Sequence, residues 1–164
     1  MAAQRELIFA ALFDRLSAIS FFRYSSRVFQ SWDDTPPSVQ PAFFLLKGAE
    51  EGNIKLQGAP SGWKLKATVC VYISNDETTH NEPSVAPSTT LNNAITLIEA
   101  ALQMQSGELP NLAGTFPSRP PGSFTTTLGG LCYSCQIVGT VEVFDGAIAG
   151  TAVALIPIEI LTTA

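Results

Sequence analysis

The last third of the chain constrains the fold most. From Leu131 the odd positions read Leu131, Tyr133, Cys135, Ile137, Val141 and Val143, while the even ones include Ser134, Gln136, Thr140 and Glu142. A period of two is a strand with one face on a core. Asp145-Gly146 predicts a turn, and Gly150 supplies a permissive backbone angle at its exit. The return strand, Thr151 to Leu161, does not alternate. Ile156, Ile158 and Ile160 share one face, and Val153, Leu155 and Leu161 share the other. A strand apolar on both faces needs cover on both. In a chain of 164 residues a neighbouring subunit is one source of that cover. This hairpin is expected at the centre of one sheet. Pro157, which has no N–H, is expected at an edge, a bulge or a gap in pairing.

The rest of the chain supplies two helices and three more strands. Phe9, Leu12, Phe13, Leu16 and Ile19 follow helical spacing, with Asp14 and Arg15 off the stripe. Phe22, Tyr24 and Val28 alternate with Arg23, Ser25 and Arg27 as a short strand, which the Ser31–Pro37 segment ends. Ala42 to Leu46 is a short apolar strand. Leu65, Ala67, Val69, Val71 and Ile73 alternate with Lys66, Thr68, Cys70 and Tyr72 as a half-buried strand. Ser88–Thr90 supply capping hydroxyls for a second helix carrying Leu91, Ile95, Ile98 and Leu102 on one stripe. Long loops are expected at 48–62, 74–88 and 106–123, the second lying outside the core and reaching a neighbour or another assembly partner. The expected class is α+β: one domain over 1–164, with two helices packed on a mixed, mainly antiparallel sheet in the order α-β-β-β-α-β-β.

Charged residues make up only 14% of the chain against a usual fraction of about 25%. Such a surface suits contact with other protein. Residues 1–69 carry a balance of +2 and residues 70–164 a balance of −7, which gives the net −5. An acidic half is unsuited to gripping phosphates. It suits a surface that DNA passes without sticking. No apolar run reaches the ~18–20 residues of a membrane span. Arg5, Glu6, Asp14 and Arg15 make the start unlike a signal peptide, so a cytoplasmic chain is expected.

The chemistry-bearing residues form no catalytic set. His80 is the single histidine, in a polar loop, which excludes a two-histidine zinc site within one chain. Cys132 and Cys135 are spaced C-x-x-C, but inside a period-two segment, where positions three apart point to opposite faces. With Cys70 they read as small apolar residues rather than disulfides or ligands. Asp33-Asp34 and Glu50-Glu51 read as solvated turn acids. Gly129-Gly130 precedes a strand rather than a helix, so it is no phosphate loop and serves a bend or a close approach. Neither a cofactor nor a metal is expected.

An ordered set of segments resembles the tail terminator (tail completion) proteins of long-tailed bacteriophages. The pieces are the helix Arg5-Glu6-Leu7-Ile8-Phe9-Ala10-Ala11-Leu12-Phe13, then Ser25-Ser26-Arg27 before Trp32-Asp33-Asp34, then Gln40-Pro41-Ala42-Phe43-Phe44-Leu45. Pro87-Ser88-Thr89-Thr90-Leu91-Asn92 follows. Leu128-Gly129-Gly130-Leu131 then runs through Val141-Glu142 and Asp145-Gly146 to Ala154-Leu155-Ile156-Pro157-Ile158-Glu159-Ile160. The likeness covers nearly the whole chain, the central loops excepted. It implies a non-enzymatic virion protein, assembled in the host cytoplasm at the head-proximal end of the tail. It implies a homo-oligomeric ring, typically of six copies, that ends tail-tube polymerisation and meets the head-side connector. A neck or head-to-tail adaptor is the nearest alternative; a small ligand-binding domain or thiol enzyme is the alternative of another class.

Within that frame Glu142, Asp145 and Glu159 are the expected wall of a DNA passage, Glu142 foremost. The competing expectation pairs these acids across subunit contacts with Arg23, Arg27 or Lys66.

Overall fold

The computed structural model describes residues 2–53, 62–74, 87–105, 125–148 and 150–162. The elements are α1 (Ala2–Ser17), β1 (Tyr24–Ser26), two 3-10 turns (Trp32–Asp34 and Pro37–Val39), β2 (Ala42–Asn53), β3 (Gly62–Ser74), α2 (Pro87–Ala101), β4 (Ser134–Ile137), β5 (Glu142–Ile148) and β6 (Thr151–Thr162). The class is the α+β arrangement expected. One sheet runs β1-β2-β3-β6, with β4 and β5 both beside β6. Among the described residues only the β1–β2 pairing is parallel.

Both helices contribute to the core on one face of the sheet. Ile8, Phe9, Leu12 and Leu16 of α1 are buried, as are Leu91, Ala94 and Ile98 of α2. The sheet meets them with Phe43, Leu45, Val69, Val71, Ile73, Ile156, Ile158 and Ile160 in a single cluster. Phe43 packs between Phe13 and Phe22, with ring centroids 5.9 and 4.9 Å away. Arg15 ties the ends of the helices together, donating to the Ala101 and Gln103 carbonyls at 3.3 and 3.4 Å. The second helix starts at Pro87, a residue suited to a first helical position because its missing N–H would be unpaired there anyway. Ser88–Thr90 therefore lie within the first turn rather than ahead of it.

The terminal hairpin departs from the sequence expectation in four ways. First, the Leu131–Val143 strand is two strands. β4 pairs with β6 up to Ile137↔Ile158, and β5 resumes at Glu142↔Leu155. The break lies opposite Pro157, which offers no N–H to a neighbour, so the gap expected of that proline is where the structure puts it. Its carbonyl still accepts from the Val138 N–H at 3.1 Å. Gly139 sits against the proline ring with φ +114, and a Cβ there would lie 3.3 Å from Pro157 Cγ. Second, Asp145-Gly146 lies inside β5, at an irregularity between Phe144 and Ile148, and the reversal falls between the paired Ile148 and Thr151. Third, the sheet centre is β3, flanked by β2 and β6, while β4 and β5 form an edge.

Fourth, β6 finds cover within the chain for the upper part of its second face, while Leu161 at the other end stays 38% exposed. Val153 joins Ala42, Phe44, Cys70 and Tyr72 in a separate buried cluster, with Tyr24, Trp32 and Leu155 against it. Phe44 is the hub, with the rings of Tyr24, Phe29 and Tyr72 at 6.0, 6.1 and 5.5 Å. The Tyr72 hydroxyl donates to the Gln30 carbonyl at 3.3 Å. The segment after β1 thus folds over the outer face, which also makes β3 buried on both faces over Val69–Ser74 rather than half-buried.

Two smaller corrections concern the first half. The strand expected over Phe22–Val28 is confined to Tyr24–Ser26. β2 continues past Leu46 to Asn53, across an irregularity between Lys47 and Glu50, so the expected loop over 48–62 is strand at both ends. Residues 54–61 lie outside the described residues, as do 75–86 and 106–124, which hold most of the other two expected loops.

Candidate interaction surface

The outer face changes character along the strands. Its upper rows are aromatic and apolar, the cluster around Phe44. Its lower rows carry Lys64, Lys66, Glu51 and Glu159, and these charges are tied to one another. Lys64 Nζ lies 3.3 Å from Glu159 Oε2, and Lys66 pairs with Glu51. The hydrogen bond from Lys66 holds the Glu51 carboxyl below its ordinary range, and the same bond raises Lys66. A cleft of about 310 Å³ opens beside this charged end between Trp63, Lys64, Tyr133 and Leu161.

A second ion-paired group sits where α1 crosses β2. Arg5 pairs with Glu50 and lies over the Trp63 ring, 3.9 Å from its centroid. Lys47 Nζ is 2.6 Å from Glu50 Oε1. The Lys47 bond, with Arg5 behind it, lowers the Glu50 carboxyl. Glu50 and Glu51 are therefore partnered strand residues, not solvated turn acids. Asp33 and Asp34 are exposed in a 3-10 turn, as expected, and Asp34 accepts from the Ser31 hydroxyl at 3.1 Å.

The six sequence-selected residues divide clearly. Arg27 is held within the chain by Glu6, 2.5 Å away, which depresses the Glu6 carboxyl. Lys66 and Glu159 are held by Glu51 and Lys64. The Asp145 side chain lies outside the described residues. Arg23 and Glu142 are exposed, and neither makes an ion pair among the described residues. They stand at opposite edges of the sheet: Arg23 directly before β1, Glu142 at the start of β5.

Exposed apolar side chains accompany them. Val28 and Phe29, just after β1, are 72% and 51% exposed; Val143 and Phe144 of β5 are 42% and 43% exposed. These four escaped the sequence reading as a surface. A signal existed for Phe144, an aromatic at the parity of Glu142, where the alternation calls for a polar residue. For Val28 and Phe29 nothing in the pattern separates an exposed pair from a buried one.

The thiols sit in the interior. Cys70, Cys132 and Cys135 are buried. Cys132 and Cys135 do not oppose one another across a strand, because β4 begins only at Ser134; both belong to the helix-side core. Burial pushes the Cys70 thiol and, more strongly, the Tyr72 hydroxyl above their ordinary values. His80 lies outside the described residues. Among the described residues no group of three or more His, Cys, Asp or Glu could hold a metal ion, and no helix is long and apolar enough to cross a membrane. Gly129 and Gly130 have φ +74 and +89, left-handed angles that suit glycine at a bend, as the sequence expects.

No protein-family model and no curated protein matches this chain. Among solved structures, it is similar to a chain in the virion of a native gene transfer agent (GTA) particle. The match covers 100% of both chains, with a TM-score of 0.55 and 13% sequence identity. At that identity the likeness is one of fold.

Proposed function

We propose that this chain is a structural virion protein without enzymatic activity, and that it acts as a tail terminator. Copies form a ring that caps the finished tail tube, ends its polymerisation and offers a surface to the head-side connector. The observation that carries this reading is the end-to-end fold match with a chain of a phage-like particle. It agrees with the ordered sequence resemblance to tail terminators. Low charge density and unpaired sheet edges support association with protein. The partners are further copies of the chain, six to a ring by analogy with the family it resembles, the tail tube protein and the connector. DNA passes through without specific binding, which suits a C-terminal half of eight acids and one arginine.

Negative-stain images of the purified protein, alone and mixed with tail tubes, test the proposal. Rings seated on tube ends, with tube length fixed once they bind, are the expected result. Binding to connectors with tube ends left bare would favour a head-to-tail adaptor instead. Particles that stay single and touch neither would overturn the virion reading.

A further inference from the structure

β1 and β5 are matched in row, in direction and in the phase of their main-chain groups. β1 spans three residues, and the register carries each across the sheet to β5. Tyr24 leads through Ala42, Tyr72 and Val153 to Phe144, Ser25 likewise to Val143, and Ser26 to Glu142. β1 runs parallel to β2, and the three antiparallel steps that follow leave β5 running opposite to β1. One bond sets the phase. The Pro157 carbonyl accepts from Val138, so Pro157 turns its main chain towards the side of β4 and β5. Main-chain groups alternate sides along a strand, so Leu155 and Val153 turn the same way and face Glu142 and Phe144. Val143, between those two, turns its N–H and C=O away from β6. The same alternation, carried through the regular pairings of β3 and β2 in these rows, turns those of Ser25 away from β2.

Among the described residues β1 pairs only with β2, and β5 only with β6. Edges of that kind are templates for another strand. Their charges are complementary as well. The segment from Arg23 to Arg27 holds two cations and no acid, whereas β5 holds Glu142 and Asp145 and no cation. Phe144, an exposed aromatic, stands in the row of Tyr24, which is itself only half-buried. A contact between two unlike edges of the same chain is heterologous, and it closes into a ring when the rotation allows. Copies related by rotation about an axis along the strands meet at equal height, row for row.

We infer that β5 of one copy adds to β1 of the next as an antiparallel pair, with Tyr24 opposite Phe144, Ser25 opposite Val143 and Ser26 opposite Glu142, so that the sheet continues from copy to copy. Ser25 and Val143 exchange main-chain hydrogen bonds, and Phe144 lies beside Tyr24 on the outer face. This rests on the ring reading above and names the strands that close the ring. It assigns Glu142 to a subunit contact rather than to the wall of the DNA passage.

Cross-linking of the full-length chain tests the register. Ser26 and Glu142 form a non-hydrogen-bonded pair in this arrangement, with Cα atoms about 4.5 Å apart, within reach of a disulfide. Ser26→Cys with Glu142→Cys should give a ladder of covalent oligomers on non-reducing gels after mild oxidation. Each single variant should give none, nor should Ser26→Cys with Thr140→Cys, which lie two residues out of register. Val143→Pro supplies an arm without new thiols. Proline is tolerated on an edge strand whose N–H faces away from the sheet. Its thermal melt should therefore stay near that of the wild type, while rings, read by sedimentation velocity and by counts on tail tubes, are lost. A matched pair that stays uncross-linked while the wild type forms rings, an out-of-register pair that cross-links equally, or full ring yield from Val143→Pro overturns the strand pairing and leaves the ring standing. A wild-type chain that stays monomeric both in solution and on tubes overturns the ring reading and the strand pairing with it.

Discussion

The two faces of the sheet solve the same problem by different means. The inner face is covered by two amphipathic helices, and its core is continuous from Phe43 to Ile160. Among the described residues no α-helix covers the outer face. Its upper rows are covered by the chain's own segment around Phe29 and Trp32, and its lower rows are finished with ion pairs. The inner face leaves little for a partner to add. Among the described residues, apolar side chains left exposed beside the sheet edges include Val28 and Phe29 after β1 and Val143 and Phe144 of β5. Buried apolar area stabilises the fold, whereas charge and edge strands set what the fold meets.

The comparison breaks most directly in the inner core. Phe43→Ala removes a fully buried ring wedged between two others and should cost about 3–5 kcal/mol. Chemical denaturation measures it, and a cost near 1 kcal/mol would mean that the inner face tolerates voids. Gly139→Ala comes next. Its positive φ and the nearby Pro157 ring leave no relaxed place for a methyl group, so a loss of about 1–3 kcal/mol is expected. A neutral result would show that the β4–β5 break is not tied to that contact. Tyr72→Phe keeps the outer aromatic cluster and removes the hydroxyl's bond to Gln30 and its contact with the Cys70 thiol, at about 1 kcal/mol. A larger effect would give the outer cover more weight than its exposed position implies.

The smallest effect is expected from the ion pairs and is best seen against pH. The folded Glu50 carboxyl lies below its ordinary 4.5. Its contribution is therefore present at neutral pH and declines as pH falls below about 4.5 through the lowered folded value. Glu50→Gln should flatten that acid limb of a stability profile and leave a small change at pH 7. Parallel profiles for the two proteins would contradict the linkage.

Much of the fold is legible in the sequence. The stripe Phe9, Leu12, Leu16 and the alternation over Leu65–Ile73 each report a local period that burial then obeys. Pro157 announced its gap because a missing donor is a local property. The candidate surface was less legible. Arg23, Arg27, Glu142 and Glu159 look alike as charged residues on strands, and only their neighbours in space separate the paired from the unpaired. Glu51, the partner of Lys66, was read as a turn acid because the irregularity in β2 hides its strand.

The sequence alone determined that this chain is α+β, with two helices, a sheet and a gap in pairing at Pro157, because periodicity and backbone donors act over a few residues. Tertiary structure decided the rest: that β3 holds the centre, that residues after β1 cover the upper part of the far side of β6, and that β1 and β5 end at one height. Those facts depend on register between strands distant in sequence, and register is set by which side chains fill the space between them.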